Sequence, residues 1–97
     1  MSAPTSLTGE LLDLVAQTQA TMRRAYDELH AANERGPVGA DLEAFSAAMR
    51  ERDRAESEIK ARWFPRAGRV GVSGIHDRPT LVVWSPKGRR GRLIEAA

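Results

Sequence analysis

The chain has no cysteine, which removes disulfides, thiolate zinc sites and a cysteine nucleophile. Aromatic residues are scarce, and Tyr26, Phe45, Trp63, Phe64 and Trp84 are the five available to fill a core. Long apolar runs are missing too. No segment approaches the roughly 18–20 apolar residues that span a bilayer, so no membrane partner is expected. Met1-Ser2-Ala3-Pro4-Thr5-Ser6 has neither the basic start nor the apolar stretch of a secretory signal, and cytoplasm is the default location. The two histidines, His30 and His76, fall in different segments with no thiolate to complete a metal site. His76-Asp77 reads as a turn rather than a catalytic dyad, and no Ser/His/Asp arrangement is legible. Gly68, Gly71 and Gly74 match neither phosphate-binding fingerprint and precede no helix; they read as strand kinks or close-packing points. No catalytic residue, metal or cofactor is assigned.

What is present suffices for one small core: 97 residues, 41% of them hydrophobic, read as a single domain over residues 1–97. Charge is divided along it. Residues 1–59 hold six arginines against eleven carboxylates, a balance of −5. Residues 60–97 hold nine lysines and arginines against Asp77 and Glu95, a balance of +7. Such a division points to an anionic partner for one end, or to attraction between chains.

After a loose tail over residues 1–5, the pattern is helical over about 6–35. Leu11, Val15, Thr18, Met22, Ala25, Leu29 and Ala32 recur at alternating steps of four and three, as in one stripe of coiled-coil-like packing. Gly36-Pro37 is a stop signal. Val38-Gly39-Ala40 makes a short connection, and Asp41 suits the N-cap of a second helix running to about Phe64. So short a link between long helices predicts an antiparallel hairpin over residues 6–64. Leu42, Phe45, Met49, Ile59 and Trp63 mark the second stripe, which Arg52 and Glu56 interrupt. Those two are either part of a solvated face or a polar register device between helices. At the start of the first helix, Leu7, Leu12 and Leu14 flank Leu11 and Val15, more apolar surface than one facing helix covers. Either the β segment or a second chain must pack there, and these five residues are the candidate interface of a homo-oligomer, a dimer being favoured.

From Arg66 the pattern becomes that of strands. Arg69–Ser73, Thr80–Trp84 and Arg89–Glu95 form three runs, the second apolar on both faces as in a central strand covered on both sides. Ser85-Pro86-Lys87-Gly88 has the residues of a type I turn. The expected fold class is α+β, a long antiparallel helical hairpin followed by a small three-stranded antiparallel β-meander over residues 66–97. Trp63 and Phe64 sit where they would anchor sheet to helices.

One feature carries functional content. Arg66, Arg69, Lys87, Arg89, Arg90 and Arg92 gather on the meander, with glycines between the densest members, and form the candidate contact for nucleic acid or another anion. The competing account has these charges keeping an edge strand soluble. Trp84 is read first as core, and as a base-stacking surface only if exposed. The expectation is a non-enzymatic interaction module that oligomerises through its hairpin and meets nucleic acid through its Arg-rich end. The alternative is a structural subunit of a larger assembly, such as a phage particle or secretion apparatus, whose basic end pairs with an acidic protein surface on a neighbour's helices.

Overall fold

The apolar stripe of the first thirty-odd residues is realised in the computed structural model, which describes residues 3–35, 39–88 and 90–97. Helix α1 runs Gly9–Arg35 and helix α2 Gly39–Trp63. Strands β1 (Arg69–Val72), β2 (Thr80–Trp84) and β3 (Gly91–Glu95) follow, antiparallel in the order β1-β2-β3. The α+β hairpin-and-meander is therefore the fold. The stop at Gly36-Pro37, the Val38 link, Arg89 and the capping side chain of Asp41 lie outside the described residues and side chains; α2 itself starts at Gly39, ahead of Asp41.

Along α1 the stripe is buried as its spacing requires, from Leu11 and Val15 through Thr18, Met22 and Ala25. Thr18 escapes the cost of burial by donating its hydroxyl to the Leu14 carbonyl at 2.7 Å. The helix begins later than its sequence pattern suggests. Leu7 is not helical; it forms a parallel bridge with Ala96, its N–H donating to the Glu95 carbonyl at 2.7 Å.

This explains the surplus of leucine. Leu7, Leu11 and Val15 are enclosed with Ile59, Phe64, Val70, Val72, Leu81 and Ile94 in one cluster, so the sheet is what covers the start of α1. Trp63 packs against that cluster and Phe64 lies within it, which fixes sheet to helices at the junction. Leu12 and Leu14 are half-buried at its margin. Of the five residues expected at an interface between copies, Leu7, Leu11 and Val15 are thus interior to the chain, and Leu12 and Leu14 alone stay partly accessible.

The meander is pinned by its turns. Gly68 N–H donates to the Trp84 carbonyl, Ser73 N–H to Thr80, and Gly88 N–H to Ser85, the last closing the Ser85–Gly88 turn at 2.8 Å. The cover expected on both faces of β2 is met in part: Thr80, on the face away from the cluster, is fully buried, and no residue of the strand is exposed. Cross-strand partners share a face, so Val72, Leu81 and Ile94 form the buried side, toward the helices. Val82 and Trp84 lie on the opposite side and are only half-buried.

Candidate functional site

The basic residues singled out in the sequence are brought to one end of the sheet, though not to one face. Arg69, Trp84 and Gly91 are level across the three strands. Gly68 lies so close to the backbone of Ser85 and Pro86 that a β-carbon there would collide with the Ser85 carbonyl. That contact sets the segment carrying Arg66 and Arg69 beside the β2–β3 connection carrying Lys87 and Arg90. Arg69 is on the outer face, in register with Trp84, whereas Arg92 pairs with Val83 and lies on the helix-side face near the β3 edge. Among the described residues, no salt bridge involves Arg66, Arg69, Lys87, Arg90 or Arg92. All five are exposed. Apart from the longer-range attraction between Arg69 and Glu56, the charge at this end has no carboxylate partner among the described residues.

Arg62, just upstream, behaves differently. It binds Glu10 of α1 through both terminal nitrogens, at 3.0 and 2.6 Å, and its guanidinium stacks 4.3 Å from the Trp63 ring. The Arg62 guanidinium holds the Glu10 carboxyl below its usual range. Arg62 is thus committed to joining the helix ends.

Trp84 lies across the sheet on its outer face. A β-carbon at Gly71 would stand 3.1 Å from the far edge of the indole, and one at Gly91 would stand 3.0 Å from Nε1, so glycine on both flanking strands is what lets the ring lie down. The Arg69 guanidinium stacks 4.3 Å from the ring centroid. A groove of about 490 Å³ opens beside it, with Gly71 and Val82 as floor, Trp84 and Arg69 on one side, and Arg52 and Glu56 of α2 on the other.

Glu56, which with Arg52 interrupts the α2 stripe, faces this groove and β1, while Arg52 lines both this groove and a second one against Met22, Tyr26 and His30 of α1. Glu56 accepts the Val72 N–H at 2.8 Å, capping a backbone group on the unpaired side of β1. Burial pushes the Glu56 carboxyl above its usual range, outweighing the opposing effects of the Val72 N–H and the Arg52 charge. Arg52 contacts Asp53 at 3.3 Å and reaches to 3.9 Å from Glu56, with its Nε buried and donating to none of the described residues. Of the two readings, a solvated face or a register device between helices, neither describes Glu56, which makes a helix-to-sheet contact.

Gln19 escaped the sequence reading altogether. It is buried, and its side-chain amide nitrogen lies within 3.0 Å of the carbonyls of Ser73, His76 and Arg78, fastening the β1–β2 loop to α1. Its position four residues after Val15 and three before Met22, beside the apolar stripe, was the available signal. In the same loop, Ser73 Oγ bonds His76 Nδ1, while Asp77 turns away to meet Arg23 at 3.3 Å. The Ser73–His76 pair is thus a local link across the bend, with its neighbouring carboxylate engaged elsewhere. Among the described residues no group of three or more His, Asp or Glu is placed to hold a metal ion, and no helix is long and apolar enough to cross a membrane.

No protein-family model matches the chain, and comparisons with curated proteins and with solved structures return no match.

Proposed function

We propose that the chain is a non-enzymatic nucleic-acid-binding module that meets the phosphate backbone with the basic end of its sheet. The observation that carries this reading is the gathering of Arg66, Arg69, Lys87 and Arg90 about one pair of turns without an internal counter-ion among the described residues. Arginines present fork-shaped donors to phosphate oxygens, and each contact made releases condensed counter-ions. Solubility alone requires dispersed charge of mixed sign, whereas this end concentrates one sign. Oligomerisation is not part of this reading, because Leu7, Leu11 and Val15, three of the five residues that suggested it, are covered by the sheet.

A mobility-shift titration at several salt concentrations tests it. The logarithm of the affinity should fall linearly with the logarithm of salt, and replacing Arg66 or Arg90 by alanine should reduce the slope by about 1 each. Absence of binding at low salt rejects the proposal. A discrete, salt-sensitive particle formed without nucleic acid would favour the assembly-subunit reading instead.

A further inference from the structure

On the sheet face away from the buried cluster, Thr80 is covered but Val82 and Trp84 are only half-buried and Leu93 is exposed, and the chemistry of that partly open face differs from that of the basic rim beside it. Its centre is apolar: Trp84 lying flat, Val82 next to it and Leu93, which is 51% exposed. Its margin is cationic, with Arg69 stacked on the indole and Lys87 and Arg90 on the adjoining connection. An arginine with one face held on a ring keeps its in-plane N–H groups for an anion, and Arg69 has no carboxylate partner among the described residues. The carboxylates on the far wall are already engaged, Glu56 with the Val72 N–H and Asp53 with Arg52. The planar guanidinium held on the indole is itself a stacking surface, and with phosphate-binding groups on the adjoining connection it is the pairing that an unpaired nucleotide needs, beside a groove of about 490 Å³.

The same geometry disfavours entry into a duplex groove. Two-stranded ribbons that enter grooves protrude from their domain. Here β1 flanks β2 as far as Trp84, and only the short turn beyond Ser85 extends past the sheet. Bases in a duplex are stacked on each other and cannot lie on a flat face. We propose that the outer sheet face binds single-stranded nucleic acid, one base stacking on the Trp84–Arg69 pair while the phosphates follow Arg66, Lys87 and Arg90. This rests on the nucleic-acid reading above and adds the strandedness and the site.

The whole chain is titrated at low salt with a short oligothymidylate and with a duplex of equal length, following anisotropy and tryptophan emission. The single strand should bind roughly tenfold more tightly than the duplex, and its saturation should quench emission, with the quench lost in Trp84→Phe. Leu93→Glu, at a half-exposed position, should weaken single-strand binding roughly tenfold. Leu42→Glu makes the same charge change on α2, at a position 59% exposed and remote from the sheet, and should leave affinity within about twofold. Circular dichroism of each variant shows that the fold is retained, and Leu93→Glu carries the test if Trp84→Phe fails to fold. Equal affinity for strand and duplex, or equal losses in the two leucine variants, overturns the single-strand site while leaving the nucleic-acid reading standing. Failure to bind either oligonucleotide overturns both.

Discussion

Glu56 occupies a helix position whose spacing calls for an apolar side chain, and it earns that place by bonding the Val72 N–H at 2.8 Å. A half-buried carboxylate is disfavoured by desolvation, yet an amide left without an acceptor costs about 1–3 kcal/mol. Replacing Glu56 by alanine should therefore destabilise the chain by about 1–2 kcal/mol in urea unfolding, whereas glutamine, which keeps an acceptor, should cost less than half as much. The pH dependence has a definite sign. Because the folded-state carboxyl titrates above its unfolded value, the contribution of Glu56 is fully present below the unfolded value and is lost as pH rises through the folded one. Glu10 is the opposite case, held down by Arg62, so its contribution is present above the unfolded value and is lost as pH falls through the folded one. Unfolding midpoints compared between about pH 3 and pH 7 should show the Glu56→Gln variant gaining on the parent as pH rises and Glu10→Gln losing ground to it. Slopes of the same sign for the two variants would refute the assignment.

Among the elements, the hairpin and meander were legible in the sequence because their signals are local. Alternating three- and four-residue steps, Pro65 after Phe64, and Ser85-Pro86-Lys87-Gly88 each specify a shape within a few residues. What was not legible depends on long-range placement. Nothing near Leu7 reveals that it bridges to Ala96, nothing near Arg52 and Glu56 reveals that β1 lies opposite, and Gln19 acts on a loop more than fifty residues away. The glycines were half legible. Gly68 and Gly71 are points of close approach, as read, but Gly74 is not tight: a β-carbon there would sit 3.5 Å from Met22, an ordinary contact. Gly68→Ala should accordingly destabilise by about 1–3 kcal/mol, since the Ser85–Pro86 backbone it meets cannot yield as a flexible side chain would. Gly74→Ala should change the urea midpoint little, and the pair compared side by side checks the packing of the two turns. The site was partly legible in the same sense. The basic residues were recognisable by composition, but their division between two faces, and the placement of Trp84 outside the core, follow from strand register.

At the scale of the molecule, the sheet and hairpin depend on each other. The hairpin is long, with 27 residues in α1, and the sheet covers only its open end, enclosing Leu7, Leu11, Val15, Ile59 and Phe64. Farther along the hairpin, the helices contact each other through small or isolated groups such as Ala25, Ala48 and the Tyr26–Phe45 edge-to-face pair at 5.3 Å. Such contacts are a thin basis for independent stability. A fragment of residues 1–65 should show reduced helical circular dichroism at micromolar concentration, and its melting should become concentration-dependent as the uncovered leucines associate. A fragment with full-length helicity and a concentration-independent melt would show that the hairpin stands alone.

The bridge between Leu7 and Ala96 also sets a clock. Loop-closure entropy delays contacts between segments far apart in sequence, so this bridge is expected to form late, after hairpin and meander. During synthesis, Leu7 waits on the outside until the residues that will receive it have been made. Leu7→Ala should then raise the unfolding rate and leave the refolding rate nearly unchanged, a signature that stopped-flow measurements in urea would separate from simple loss of stability. A proportionate fall in the refolding rate would instead place Leu7 in the folding nucleus. In that kinetic sense, the residue first taken for a meeting point between chains is the latch that this chain closes last upon itself.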